Sequence, residues 1–160
     1  MKERVVFVAV VLILAVACSD RVVVDRGTPD VVVRMRAGPA APVVKLSFQG
    51  TIHEPSVGSN CWASNSAETC IDTVPDVVIP KGYVDVPRGT RIRIDSDARS
   101  FTASLGRVSM GNEIDLQVVQ RLEFKGGESL IDVPPGEYTL EIDCDWKQGT
   151  VPLYFGIRVT

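Results

Sequence analysis

The feature that most constrains this chain is a period of two in its apolar residues, sustained from Val43 to the C-terminus. Tyr138, Leu140, Ile142 and Cys144 alternate with Thr139, Glu141 and Asp143. After Lys147-Gln148-Gly149 the pattern resumes with Val151, Leu153, Phe155, Ile157 and Val159. Successive side chains of a strand point to opposite faces, so each run offers one apolar face and the pair predicts a hairpin. The same alternation marks Val44, Leu46 and Phe48, then Ile92 and Ile94 set between Arg91, Arg93 and Asp95. It returns at Phe101, Ala103 and Leu105, at Ile114, Leu116 and Val118, and on a shorter strand at Leu122 and Phe124. Pro87-Arg88-Gly89, Gly126-Gly127 and Pro134-Pro135-Gly136 punctuate these runs as turns. No stretch carries apolar residues at the spacing of three and four that a helix requires. Residues 43–160 are therefore expected to form an all-β fold, an Ig-like antiparallel β-sandwich of about seven strands.

The N-terminus reads as processing information. Lys2 and Arg4 precede an unbroken apolar run from Val5 to Ala17. That run is short for a bilayer span, which needs roughly 20 apolar residues, and it has the length of a signal-peptide core. Residues 1–17 are therefore excluded from the fold. Leu14-Ala15-Val16-Ala17-Cys18 resembles the bacterial lipobox, which implies diacylation of Cys18 and stable membrane anchoring through several acyl chains. Ala15-Val16-Ala17 also fits ordinary signal peptidase, whose cut would release a secreted chain beginning at Cys18. Residues 18–42, broken by Gly27-Thr28-Pro29 and by Gly38-Pro39-Ala40-Ala41-Pro42, are expected to be a flexible tether. The triplets Val22-Val23-Val24 and Val31-Val32-Val33 within it are β-prone, and either is able to dock as an edge strand.

Charge narrows the partners. The chain carries 17 basic and 20 acidic residues; without Lys2, Glu3 and Arg4 its net charge is about −4. No basic block interrupts it, which argues against nucleic acid and against a polybasic membrane patch. If Cys18 is acylated, Cys61, Cys70 and Cys144 remain. Cys61 and Cys70 flank a short polar stretch that suits a bridged loop, and Cys144 falls on an apolar strand face as a buried thiol. The rival pairing joins Cys70 to Cys144.

Several segments carry a resemblance: Gly58-Ser59-Asn60-Cys61-Trp62, Cys70-Ile71-Asp72, Pro134-Pro135-Gly136-Glu137-Tyr138, Trp146-Lys147-Gln148-Gly149 and Tyr154-Phe155-Gly156. Together they resemble small uncharacterised bacterial lipoproteins that share a Cys-Trp…Cys-x-Asp segment and a C-terminal β-hairpin, over most of Phe48 to Thr160. The resemblance implies a bridged Cys61–Cys70 loop and a β-sandwich, and it brings no activity.

Candidate chemistry is sparse. His53 is the single histidine and stands beside Glu54 and Pro55, so hydrolytic triads and multi-histidine zinc sites have little to draw on. Asp95-Ser96-Asp97 and Asp143-Cys144-Asp145 are tight acidic pairs, short of the six to eight oxygens calcium requires. Arg88, Arg91, Arg93, Arg99 and Arg107 could share a basic face. Trp62 either packs over the disulfide as core or stands exposed as a recognition residue, with Asn60 and Asn65 as adaptable polar contacts beside it. The expectation is a lipid-anchored extracytoplasmic binding module for an envelope protein or glycan, without cofactor, metal or catalytic residues. A structural or stress-related envelope component is the alternative, and a small hydrolase is the weaker one.

Overall fold

A computed structural model of the chain describes residues 30–64, 67–73, 78–110 and 114–160. The expected signal segment 1–17, Cys18 and Asn65 lie outside the described residues. Among those described, no helix is long and apolar enough to cross a membrane.

The C-terminal hairpin forms as the alternation requires. Gly136–Trp146 (β12) and Gly149–Val159 (β13) pair antiparallel along their whole length, with Lys147 and Gln148 as the turn. Ser100–Met110 (β9) joins the other side of β12, and Ile114–Arg121 (β10) lies beyond it. Two short strands share the free edge of β13. Ser56–Val57 (β4) pairs antiparallel at Leu153 and Tyr154, and Tyr83–Val86 (β7) pairs parallel from Gly156 onward.

A second sheet packs against this one in the order Glu128–Leu130 (β11), Arg91–Ser96 (β8), Val31–Arg36 (β1), Val43–Phe48 (β2), Thr51–His53 (β3). The molecule is thus an all-β sandwich. It departs from a plain seven-strand antiparallel count: among the described residues its sheets hold five and six strands, the sixth being β7 beside β4 on the edge of β13, and both β1–β8 and β7–β13 are parallel. A detached hairpin, Asn60–Ala63 (β5) with Glu68–Ile71 (β6), completes the described structure.

One expectation is overturned. The domain does not begin at Val43, because β1 is an inner strand of the second sheet, paired with β2 on one side and β8 on the other. It is neither tether nor edge. Val31, Val33 and Met35 are fully buried, while Arg34 and Arg36 face out. The period of two was present there, but the outward Val32 gave both faces an apolar residue and hid it. The Leu122–Phe124 run is likewise not a strand, although Leu122 is buried in the core.

The two sheets meet through side chains such as Cys144 on β12, whose sulfur lies 3.4 Å from that of Met35 on β1. Cys144 is a free, fully buried thiol, and burial, with Asp143 adding to it, pushes its pKa up to about 12. A thiol so protonated is an inert core residue. The rival Cys70–Cys144 bridge is excluded, since Cys61 is bonded to Cys70.

The strands define two ends. The chain enters β1 at the end that holds the Pro87–Thr90 turn and Thr160. The β12–β13 turn and the disulfide hairpin occupy the opposite end, where Arg99 N–H donates to Asp145 and Ala63 N–H to Gln148. On one flank, Gln120 of β10 ties the sheets together: its amide donates to the Leu130 carbonyl and accepts from the Asp132 N–H.

Candidate functional site

The other flank is open, and its shape follows from a tight turn. Gln49 and Gly50 both adopt positive φ (47° and 81°), the two-residue turn that matches the twist of a β-hairpin. This turn folds β3 back along β2 and sets His53 opposite the buried Leu46, so the imidazole sits half-buried at the sheet edge. The chain then crosses to the first sheet as β4. Further on it returns at Pro80 and joins the same edge of β13 as β7. Between these two approaches lies a cleft of about 820 Å³. His53, Glu54, Lys81, Tyr83 and Tyr154 line it, with Phe155 among its wall residues.

Gly156 makes this geometry possible. A Cβ there would lie 2.0 Å from the Gly82 carbonyl oxygen and 2.6 Å from the Pro80 side chain. Only glycine lets the strap of residues 78–82 cross β13 so closely. The strap is held further by Thr139, whose hydroxyl donates to the Val78 carbonyl.

Carboxylates of β12 lie near both tyrosines. Burial, then the charges of Glu141 and Asp143, together with a hydrogen bond to Glu141, push the Tyr154 pKa up to about 12. Burial and Glu137 raise that of Tyr83, and the Arg158 guanidinium lies 5.1 Å from the centre of its ring. Each phenol is therefore neutral at any physiological pH. The arrangement provides two oriented aromatic rings, one imidazole and rim charges of both signs, a lining suited to holding an uncharged polar ligand.

Glu141 and Asp143 occupy the outer face of β12, above a neighbouring groove of about 620 Å³ lined also by Phe101, Phe124 and Arg121. Burial raises both carboxyls, and the charge of Asp143 adds to the rise at Glu141. The sign of the consequence is definite. Below the ordinary carboxylate range, near pH 4, both are protonated in the folded and unfolded chain. As pH climbs through the raised folded-state values the unfolded chain sheds protons first, and stability is lost. Glu141→Gln with Asp143→Asn is expected to give a higher urea midpoint than the parent at pH 7 and an equal one at about pH 2.5. Asp95 works in the opposite sense, held low chiefly by its hydrogen bond from Arg36, but it is common to both proteins.

The sequence-expected recognition loop is built differently. Trp62 is 2 % exposed, packs edge-on against Trp146 with ring centres 5.6 Å apart, and donates to the Gly38 carbonyl. It is core, not an exposed anchor, because strand alternation turns it inward while its neighbours Cys61 and Ala63 face out. Asn60 is half-buried and spends its amide on the Gly58 carbonyl. Trp146 is core as well, and its ring N–H donates to Asp97. The Asp95–Asp97 pair is also structural in its contacts: Asp95 accepts from Arg36, and Asp97 from Trp146 and the Ala37 N–H.

The disulfide joins directly opposed residues of β5 and β6 and is exposed on the hairpin's outer side. Glu68 is close to both sulfurs, yet disulfide sulfurs are not thiolates and make no ligand set. On the loop-closure account the bridge contributes roughly 2–3 kcal/mol. Cys61→Ser with Cys70→Ser is expected to lower stability by that amount in denaturant titrations, with the sandwich itself still folding, since Trp62 anchors β5 independently.

The five arginines do not share one face. Arg91 and Arg93 stand on the outer side of β8, Arg107 lies against Tyr138, Arg88 pairs with Asp132, and Arg99 follows β8 at the far end. Sequence reasoning missed the cleft, because His53, Tyr83 and Tyr154 come from three distant segments with no shared spacing. No family model, no curated protein and no solved structure matches this chain.

Proposed function

We propose that the chain is an extracytoplasmic lipoprotein, anchored through Cys18, whose Ig-like sandwich binds a glycan of the cell envelope in the flank cleft. The observation that carries the binding reading is the cleft itself: a concavity of about 820 Å³ with two tyrosines in its lining and polar groups beside them. Sugar rings offer apolar C–H faces to aromatic rings and hydroxyls to groups such as His53, Glu54 and Lys81. The signal segment and the lipobox resemblance support the location. The reading assigns no catalytic step, cofactor or metal to the protein.

Melting of the full chain with soluble envelope saccharides, chitotriose first, tests it. A ligand at 100 times its Kd adds about 2.7 kcal/mol of stability. The expected result is a raised Tm that Lys81→Ala together with His53→Ala diminishes. No shift with any saccharide, or a shift these substitutions leave intact, would overturn the cleft as the site.

A further inference from the structure

The outer face of the second sheet collects charge that is scattered in the sequence. Arg34 and Arg36 of β1, Lys45 of β2, and Arg91 and Arg93 of β8 all project from it. Their registers place them side by side: Arg34 lies opposite both Lys45 and Asp95, and Arg93 lies opposite Val32. Two acids answer these five cations. Asp95 is shared by Arg36 at 2.8 Å and Arg34 at 4.0 Å, and Glu128 stands opposite Arg93. The face thus carries about +3 within a chain of net −3, which leaves about −6 for the remainder.

Apolar side chains share this surface. Val43, Ile52 and Leu130 are 57 %, 59 % and 52 % exposed, and Ile52 lies opposite the outward Ser47. Cations interleaved with exposed aliphatic residues match the two parts of a lipid interface, anionic headgroups and the acyl boundary beneath them. The linear sequence holds no basic block, so only the folded sheet assembles the patch.

The path of the chain selects the occupant. β1 is the central strand of this face, and only 11 residues lie between Cys18 and Asp30 at its start. Fully extended, they reach at most about 40 Å. We propose that the outer face of the five-stranded sheet docks on an anionic bilayer surface, so that the acidic six-stranded sheet and its cleft turn away from the membrane. The inference rests on Cys18 anchoring for its geometry.

Competitive lysine labelling reads the orientation. The full chain is reconstituted in nanodiscs of phosphatidylcholine alone or with 30 % phosphatidylglycerol, and labelled with a water-soluble amine acylating reagent. Lys45 reports the face; Lys81 beside the cleft and Lys147 at the far turn are internal controls. Labelling of Lys45 is expected to fall about fivefold or more on the anionic discs, the scale of one cation's attraction to such a surface. Lys81 and Lys147 should not change, and 0.5 M salt should restore Lys45. Arg34→Glu with Arg93→Glu should abolish the protection, and Arg34→Ala with Arg93→Ala, the gentler pair, should weaken it.

Equal labelling on both discs, or equal protection of all three lysines, would overturn the docking. So would a loss confined to samples given an acidic polysaccharide, which would make the patch a glycan surface. Intact mass of the same sample separates the two claims. Lys45 protection without acyl mass keeps the docking and sinks the lipoprotein reading; acyl mass without protection does the reverse.

Discussion

A chain that begins at Val43 is expected to be unfolded, whereas one that begins at Asp30, and so keeps β1, is expected to fold. Removing β1 exposes no loose end: it takes out the strand that joins β8 to β2 and splits the five-stranded sheet. Val31, Val33 and Met35 are each fully buried, and burying a side chain of that size is worth about 1.5–3 kcal/mol. Their loss alone comes to roughly 5–9 kcal/mol, comparable to the 5–15 kcal/mol by which whole domains are stable. Backbone pairs on both sides of β1 are lost as well. Circular dichroism and amide-proton dispersion of the two truncations would decide the matter. A folded, cooperatively melting chain from Val43 would mean that β1 is an accessory strand.

Trp62→Ala is expected to be the most damaging single substitution at the disulfide end, by about 3–5 kcal/mol. The ring is buried, stacks edge-on with Trp146 and satisfies its N–H on Gly38, so truncation leaves a cavity next to an orphaned partner ring. For a domain of this size the melting temperature should fall on the order of 10–15 °C. Asn60→Ala, one residue from the disulfide, loses a single half-buried hydrogen bond and should cost about 1 kcal/mol. A Trp62→Ala protein as stable as the parent would return the residue to the role of a surface anchor.

The parts of this architecture that were legible in the sequence are those where inward residues are apolar and outward ones polar. Tyr138 through Cys144 shows this, with Thr139, Glu141 and Asp143 between, and the long hairpin could be read from it directly. The Cys61–Cys70 bridge was the reading the spacing favoured, with Cys70–Cys144 left open beside it. β1 was not, because Val32 faces solvent and because Pro29 and Gly38-Pro39 on either side look like a linker. The cleft was out of reach for a different reason. It is a gap between β4 and β7 on one strand edge, created by chain crossings and by the clearance at Gly156, and no local pattern encodes a gap. The inward turn of Trp62 was one of two readings left open, and strand parity decided it.

Val31 pairs with Ile92, and 61 residues of chain must be present before that parallel ladder can close. The first of the described strands to emerge in N-to-C synthesis or export is therefore the one that waits for its partner. Until then an apolar, β-prone run has only β2 beside it and one open edge, the condition in which strands associate with other chains. Closing so long a loop also raises the contact order, which slows folding in all-β domains. The protein should accordingly refold slowly and lose yield steeply as concentration rises, with the delay set by the arrival of β8, not by the local C-terminal hairpin.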